Sequence, residues 1–424
     1  VLFAVKNPYH SKNMNKPRLR NLEITKVEYQ GEEFFYFHDR LGIAKGGGVP
    51  ESWGGLLSFF DGQQTQEEII AVYAQTYGEE LPAEILERVI AQLDEALLLE
   101  SPRFHANWER IVLEFESLTA RPASLAGLSY PERAEELQAT VDSFSHQAAD
   151  IETGKLPVGA KVRGIVVPHI DFNRGGVTEA LAYRQLLEDE FDTFIVLGIA
   201  HSGVHYPFCG IAKDFETPLG AVECDHEFME ALQQRLGEKF LAEQFAHKSE
   251  HSVEFVAVFL KAFEQLKNAK IVPIICGGFF TELLSGESPI GTLEIAQFIH
   301  SLREVVEEQK AQGKRVGFIA SVDLAHVGSR FGDDEPLTPA RLEEIRTQDL
   351  AFLQTIEQGD AEAMHTALAK NNNARNVDAH PAVYTFLAAF PELRAQLLDY
   401  RQAYDEEANS VVSFAAMTLF EETA

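Results

Sequence analysis

The chain has 424 residues, with 36 Lys and Arg against 66 Asp and Glu, a net charge of −30, and 45% hydrophobic residues. That length supports two or three domains with a sizeable core and excludes a disulfide- or metal-stapled miniprotein, while the acidity repels phosphate backbones and argues against nucleic acid as a partner. Its three cysteines, Cys209, Cys224 and Cys276, lack the close pairs of a structural zinc site and fit a reducing, cytoplasmic setting; no run of 18 apolar residues is available to cross a bilayer, so no membrane partner is expected.

In chain order, residues 1–22 read as a flexible extension. They are basic with a short apolar start and lack the long apolar core of a signal peptide, and Met14 is a more usual start than Val1. Residues 23–102 read as a small α+β domain. The stretch TKVEYQGEEFFYFHD alternates and is rich in aromatics, which predicts a hairpin turning at Gln30-Gly31. Gly46, Gly47, Gly48, Gly54 and Gly55 predict a loop. Thr65 with Glu68 three residues on is a capping box opening a helix, and Pro82 stands near the start of a second helix whose apolar residues recur at i, i+3, i+4 and i+7. Such a module resembles a winged-helix or peptide-chaperone domain; a docking domain that only packs on its neighbour fits as well. Residues 103–160 read as a helical connector ending at the Pro/Gly-marked LPVGA.

From 161 to 424 the pattern changes. RGIVVP, TFIVLG, KIVPIICG and VGFIASVD are short, wholly apolar runs, as in buried parallel strands. Helical patterns separate them: ALAYRQLLEDE, HEFMEALQQRL, VEFVAVFLKAFEQL and LEIAQFIHSLREVVEEQ. With SVVSFAAMTLF as a further strand, this predicts a three-layer α/β/α sandwich around a mostly parallel sheet. Asn371, Asn372 and Asn373 predict a turn.

Open parallel sheets present ligands to the loops beyond their carboxyl strand ends, and histidines occupy those places. His169 follows RGIVVP, His201 follows TFIVLGIA and His326 follows GFIASVD. Imidazoles suit this position because one ring nitrogen binds a divalent transition metal while the other N–H is fixed by a neighbouring acceptor. The loop PHIDFNRGG adds Asp171, Asn173 and Arg174 as pocket candidates, or forms a plain strand-to-helix turn. His205, four beyond His201, lines the pocket or sits in a surface turn. In HKSEHSVEF, His251 and Glu254 lie three apart on one helical face and are candidates for orienting or protonating a ligand; alternatively Ser249 or Ser252 caps the helix and Glu254 favours its positive end. Asp323, three before His326, is placed to hold that imidazole in one tautomer as a general base. Near ARNVDAHP, Asp378 reads as the remaining metal ligand or as an N-cap, and His380 as a pocket-side group.

Together PH at 168–169, GIAH ending at 201, TPLG at 217–220, EHSVE at 250–254, SVDLAHVG at 321–328, HP at 380–381 and SVVSFAA at 410–416 resemble the Memo family, also called AmmeMemoRadiSam system protein B. Through it they resemble the fold of class III extradiol ring-cleaving dioxygenases. The resemblance spans about 162–420. It implies His169 and His201 as ligands to a divalent transition metal, Fe(II) first, with Cu or Zn as alternatives. It also implies His326 as the acid/base residue, and radical-SAM and AMMECR1-like proteins as partners. The family's late cysteine ligand is replaced by Val377-Asp378, so either Asp378 completes a two-histidine, one-carboxylate set or the metal site is weakened or lost. Three functions fit these residues: an oxygen-dependent oxidoreductase on a small-molecule or peptide substrate, a non-catalytic peptide-binding or scaffold protein using the same cleft, and a zinc-dependent hydrolase.

Overall fold

The computed structural model describes residues 15–39, 42–44 and 47–422. The expected extension is thus described only from residue 15, and Gly46 of the expected glycine loop lies outside the described residues. The chain divides into two units, the first ending at Ser117 and the second running from Leu118.

In the first unit, β1 (Glu23–Tyr29) and β2 (Glu32–His38) form the expected hairpin, with Gln30 and Gly31 at φ 56° and 82°. Two successive positive φ values match the right-handed twist of the strands. Gly47–Pro50 forms a third strand, β3, where a loop was expected, because Val49 pairs with Phe35 and buries its side chain with Phe37. The Thr65–Glu68 capping box opens the helix Gln66–Tyr77, and Pro82 precedes the helix Ala83–Glu95. Leu86, Val89, Ile90 and Leu93 of the latter form a buried stripe against Ile69, Leu56 and Leu57. The helix Pro102–Ser117 ends the unit, held by Arg103 to Asp94 at 3.3 Å and by Arg20 lying 4.2 Å over the Phe104 ring.

The second unit starts with β4 (Ala120–Arg121), which pairs with β8 (Asp214–Phe215). Its main sheet contains β5 (Lys161–Val167), β6 (Thr193–Ile199), β7 (Phe208–Gly210), β9 (Lys270–Cys276), β10 (Val316–Ser321), β11 (His326–Gly328), β12 (Leu393–Asp405) and β13 (Ser410–Glu421). The order is β11-β13-β5-β10-β6-β9-β7, with β12 on β13. The four apolar runs β5, β10, β6 and β9 form the parallel centre, and antiparallel strands flank them on both sides. Helices Phe172–Arg184 and His251–Ala262 pack on one face; Leu293–Ala311 and His380–Ala389 pack on the other. Covering both faces explains why the buried stretches of these strands are nearly continuous apolar runs instead of alternating. The result is the expected α/β/α sandwich.

Two glycines set close approaches that matter for the site. A Cβ on Gly164 of β5 would stand 2.0 Å from the Phe318 carbonyl oxygen of β10. A Cβ on Gly198 of β6 would stand 2.4 Å from Ser252 Oγ. Gly198 therefore lets the start of the helix His251–Ala262 press onto β6, where Ser252 Oγ accepts from Ile199 N at 3.0 Å. That contact carries His251 toward the loop after β6.

Among the described residues, no helix is long and apolar enough to cross a membrane.

Candidate metal centre

His169 and His201 leave the carboxyl ends of β5 and β6, and His251 opens the helix His251–Ala262. One ring nitrogen from each lies within 4.8 Å of the others. The ring centroids of His169 and His201 are 5.0 Å apart, those of His169 and His251 4.9 Å, and those of His201 and His251 4.4 Å. Nitrogens bound to one ion at about 2.1 Å stand at most about 4.2 Å apart, so small side-chain rotations bring the three into one coordination sphere.

Each ring is held by its other nitrogen. His169 Nδ1 donates to the Ser321 carbonyl at 2.9 Å, which leaves Nε2 for the cluster. His201 Nδ1 donates to Glu250 at 2.9 Å, and its backbone N–H reaches the same carboxylate at 3.0 Å. Glu250 is the N-cap of the helix that His251 opens, accepting from Ser252 N at 2.9 Å, and its Oε1 lies 3.3 Å from His251 Nδ1. One buried carboxylate thus orients two of the three imidazoles, the arrangement by which outer groups fix metal-binding tautomers.

Carboxylates ring the cluster. Asp378 Oδ2 is 3.1 Å from His169 Nε2 and 4.0 Å from His201 Nε2, while its Oδ1 accepts from Asp323 N at 2.7 Å. Asp323 Oδ1 accepts from His169 N at 3.1 Å, and its Oδ2 is 3.8 Å from His169 Nε2. Burial alone would lower the His169 pKa, but Asp323, Asp378 and Glu250 outweigh it and push it up to about 10. Burial, with His201 as a neighbour, pulls His251 well below its ordinary value, so it is a neutral donor. Burial works against ionising Glu250 and Asp378, yet the histidines beside them hold both below the usual carboxylate range. Burial and the Asp378 charge raise Asp323. Asp323 and Asp378 both approach His169 Nε2, and the donor set of imidazoles and carboxylate suits a first-row transition metal.

The remaining candidates fall elsewhere. Glu254 does not join His251 at the cluster. It is fully buried and bonds Arg121, the Ser124 hydroxyl at 2.8 Å, the Leu125 N–H at 2.9 Å and the Tyr130 hydroxyl. The i, i+3 spacing placed it on the right helix, but its charge is answered by residues 121–130. Asp323 serves His169, and the tautomer of His326 is instead set by the Leu324 and Asn376 carbonyls, 3.1 and 3.2 Å from Nδ1. This leaves Nε2 as the His326 ring nitrogen not committed to those carbonyls. Asp171 is the N-cap residue of the helix Phe172–Arg184 and pairs with Arg174 at 2.9 Å, with Asn173 exposed beside them. His205 is 95% exposed and bonds Glu243 at 2.7 Å. His380 is buried, its Nε2 3.0 Å from His365 Nδ1 and its ring 5.5 Å from Phe279. Cys209, Cys224 and Cys276 are buried thiols, pushed up by burial.

Sequence reasoning passed over Glu250 and Glu179. Glu250 was legible as an acidic residue just before a helix-opening histidine. Glu179 is buried inside the helix Phe172–Arg184 with Oε1 lacking a hydrogen-bond partner, and burial raises its pKa well above the ordinary value; nothing in the local sequence marks it.

A mostly parallel α/β/α sandwich with histidines and carboxylates converging at its carboxyl strand ends defines a protein with a candidate metal site. Comparison with known proteins narrows the class. The Memo-like protein family matches residues 121–418. A MEMO1 family protein of Aquifex aeolicus is 28% identical over 408 residues, covering 96% of this chain and all of that protein. A MEMO1 family protein of Thermus thermophilus is 29% identical over 358 residues, 84% of this chain and 98% of its own. One of Pyrococcus furiosus is 25% identical over 315 residues, 70% of this chain and 98% of its own. The chain belongs to the Memo family.

Proposed function

We propose that this protein is a non-haem metal oxidoreductase. In this reading His169, His201 and His251 hold a divalent transition metal, Fe(II) first, with Asp378 as the anionic donor. The observation that carries it is the convergence of three imidazole nitrogens within 4.8 Å at a point where Asp378 already contacts two of the rings. Such an ion, when bound, supplies Lewis acidity toward a deprotonated hydroxyl of the substrate and a binding position for dioxygen.

The chain's own residues do the rest. Ser321 O and Glu250 hold the Nδ1 atoms of His169 and His201 and so turn the two Nε2 atoms toward the ion. His326, with Nδ1 committed to two carbonyls, receives the substrate proton on Nε2 and returns it later. Asn173, exposed beside the Asp171–Arg174 pair, contributes polar contacts to the substrate in this reading. The setting is cytoplasmic, and the partners are those the family resemblance implies, radical-SAM and AMMECR1-like proteins.

Anaerobic reconstitution with Fe(II) tests this reading. The protein should retain one ion per chain, and oxygen uptake in the presence of a small-molecule extract should then depend on His326. H326A should keep the metal and lose at least 100-fold of the uptake. Metal-independent uptake, or zinc-supported hydrolysis that needs no oxygen, would overturn the oxidoreductase assignment.

A further inference from the structure

We propose that Arg121 is a positioning residue for the metal cluster, acting through Glu250 and the turn that precedes His251. The inference rests on the metal-binding reading above.

Arg121 is fully buried on β4, whose pairing with β8 fixes its backbone: Glu216 N donates to the Arg121 carbonyl at 2.9 Å. Its guanidinium lies 5.1 Å from the Phe215 ring centroid and spreads its donors in three directions. Nε donates to the His247 carbonyl at 2.7 Å, and Nη2 donates to the Glu250 carbonyl at 2.8 Å. Nη1 reaches the Glu254 carboxylate and the Pro122 carbonyl, the latter at 3.0 Å, and Nη2 also reaches Ser124 Oγ at 3.0 Å. The planar fork thus clamps both ends of the turn 247–250 and ties it to the first turn of the helix His251–Ala262. A lysine, with one compact ammonium, cannot span those acceptors.

The consequence reaches the cluster through one residue. Glu250 orients His201 by two hydrogen bonds and stands 3.3 Å from His251 Nδ1. Where Arg121 holds the Glu250 backbone therefore decides where two of three ligating rings sit. Removing outer groups that orient metal ligands typically costs 10- to 100-fold in affinity; Arg121 acts one residue further out, so an effect near the low end is expected.

The test is Co(II) binding to the full chain, read by affinity and by the visible absorption of the bound ion. Arg121→Lys should bind Co(II) roughly tenfold more weakly and with an altered spectrum. Tyr130→Phe removes a bond to the same buried Glu254 but none to the turn 247–250, so it should lower Tm while leaving both Co(II) readouts at the wild-type values. Arg121→Lys with reduced Tm but wild-type affinity and spectrum would show a purely structural role and overturn the inference. If that variant does not fold, Ser124→Ala, which loosens the fork while keeping the arginine, decides: weaker Co(II) binding supports the inference and unchanged binding overturns it. Failure of the wild type to bind Co(II) would overturn the metal reading and this inference with it.

Discussion

Two groups of histidines sit in the same domain, and their fully buried members His169 and His380 behave in opposite ways. At the carboxyl strand ends, His169, His201 and His251 are surrounded by Glu250, Asp323 and Asp378, and His169 is pushed up to about 10. Between the helices Ala361–Ala369 and His380–Ala389, His365 and His380 face one another at 3.0 Å against Phe279 and Tyr384. There burial pulls His380 down to about 3, and it lowers His365 as well, against the opposing charge of Glu362. His169 and His380 are both buried, so it is the carboxylates beside His169 that make it cation-seeking and burial against His365 that leaves His380 a neutral packing residue.

Removing the ligating rings should break the contrast most completely. H169A combined with H201A should lower metal affinity by more than 100-fold while far-UV circular dichroism keeps the wild-type shape, since β5 and β6 end before these loop residues. Unchanged metal stoichiometry would remove these two rings from the site. Asp378→Asn keeps the shape and deletes the charge. It should weaken the metal 10- to 100-fold and lower the His169 pKa, which NMR titration of the metal-free protein can follow. A His169 pKa that stays near 10 would mean that Asp378 is not one of its partners.

Acid should expose the histidines that burial holds neutral, His247 and His380. Burial holds His247 and His380 at about 4 and about 3 in the fold, whereas an unfolded histidine titrates near about 6.5. Between those values the unfolded chain binds more protons, so this stability is fully present above pH 6.5 and falls as pH drops, by about 2 kcal/mol per histidine at pH 5. His169 has the opposite sign: its contribution is present below its unfolded pKa and is lost as pH rises through about 10. Denaturant midpoints from pH 8 to pH 5 should show the acid-side loss, and a flat profile would contradict the neutral assignment of His247 and His380. The smallest effect concerns His380→Leu, which should leave metal affinity unchanged and cost about 1 to 2 kcal/mol by stranding His365. A change in metal binding would join the two groups after all.

Much of this architecture was legible in the sequence. The parallel strands were nearly continuous apolar runs because both faces are covered, and their ends located His169, His201 and His326. β12 was not legible, because LRAQLLDYRQAYD mixes charges into a half-buried strand whose partner, β13, lies only a few residues further on. The site was legible as a place but not as a ligand set. Helical spacing pointed from His251 to Glu254, while the fold turns Glu254 to Arg121, 133 residues earlier, and uses Glu250 instead. A buried arginine that meets its partners only after folding leaves no local pattern to read.

The central claim is that the three imidazoles share one ion with Asp378 beside it. Anomalous diffraction at the iron edge, from crystals of anaerobically reconstituted protein, tests it directly. A single strong peak within about 2.3 Å of nitrogens from His169, His201 and His251, and in reach of Asp378, is the result predicted. An empty cluster in iron-replete crystals, or a peak at His365 and His380, would contradict it.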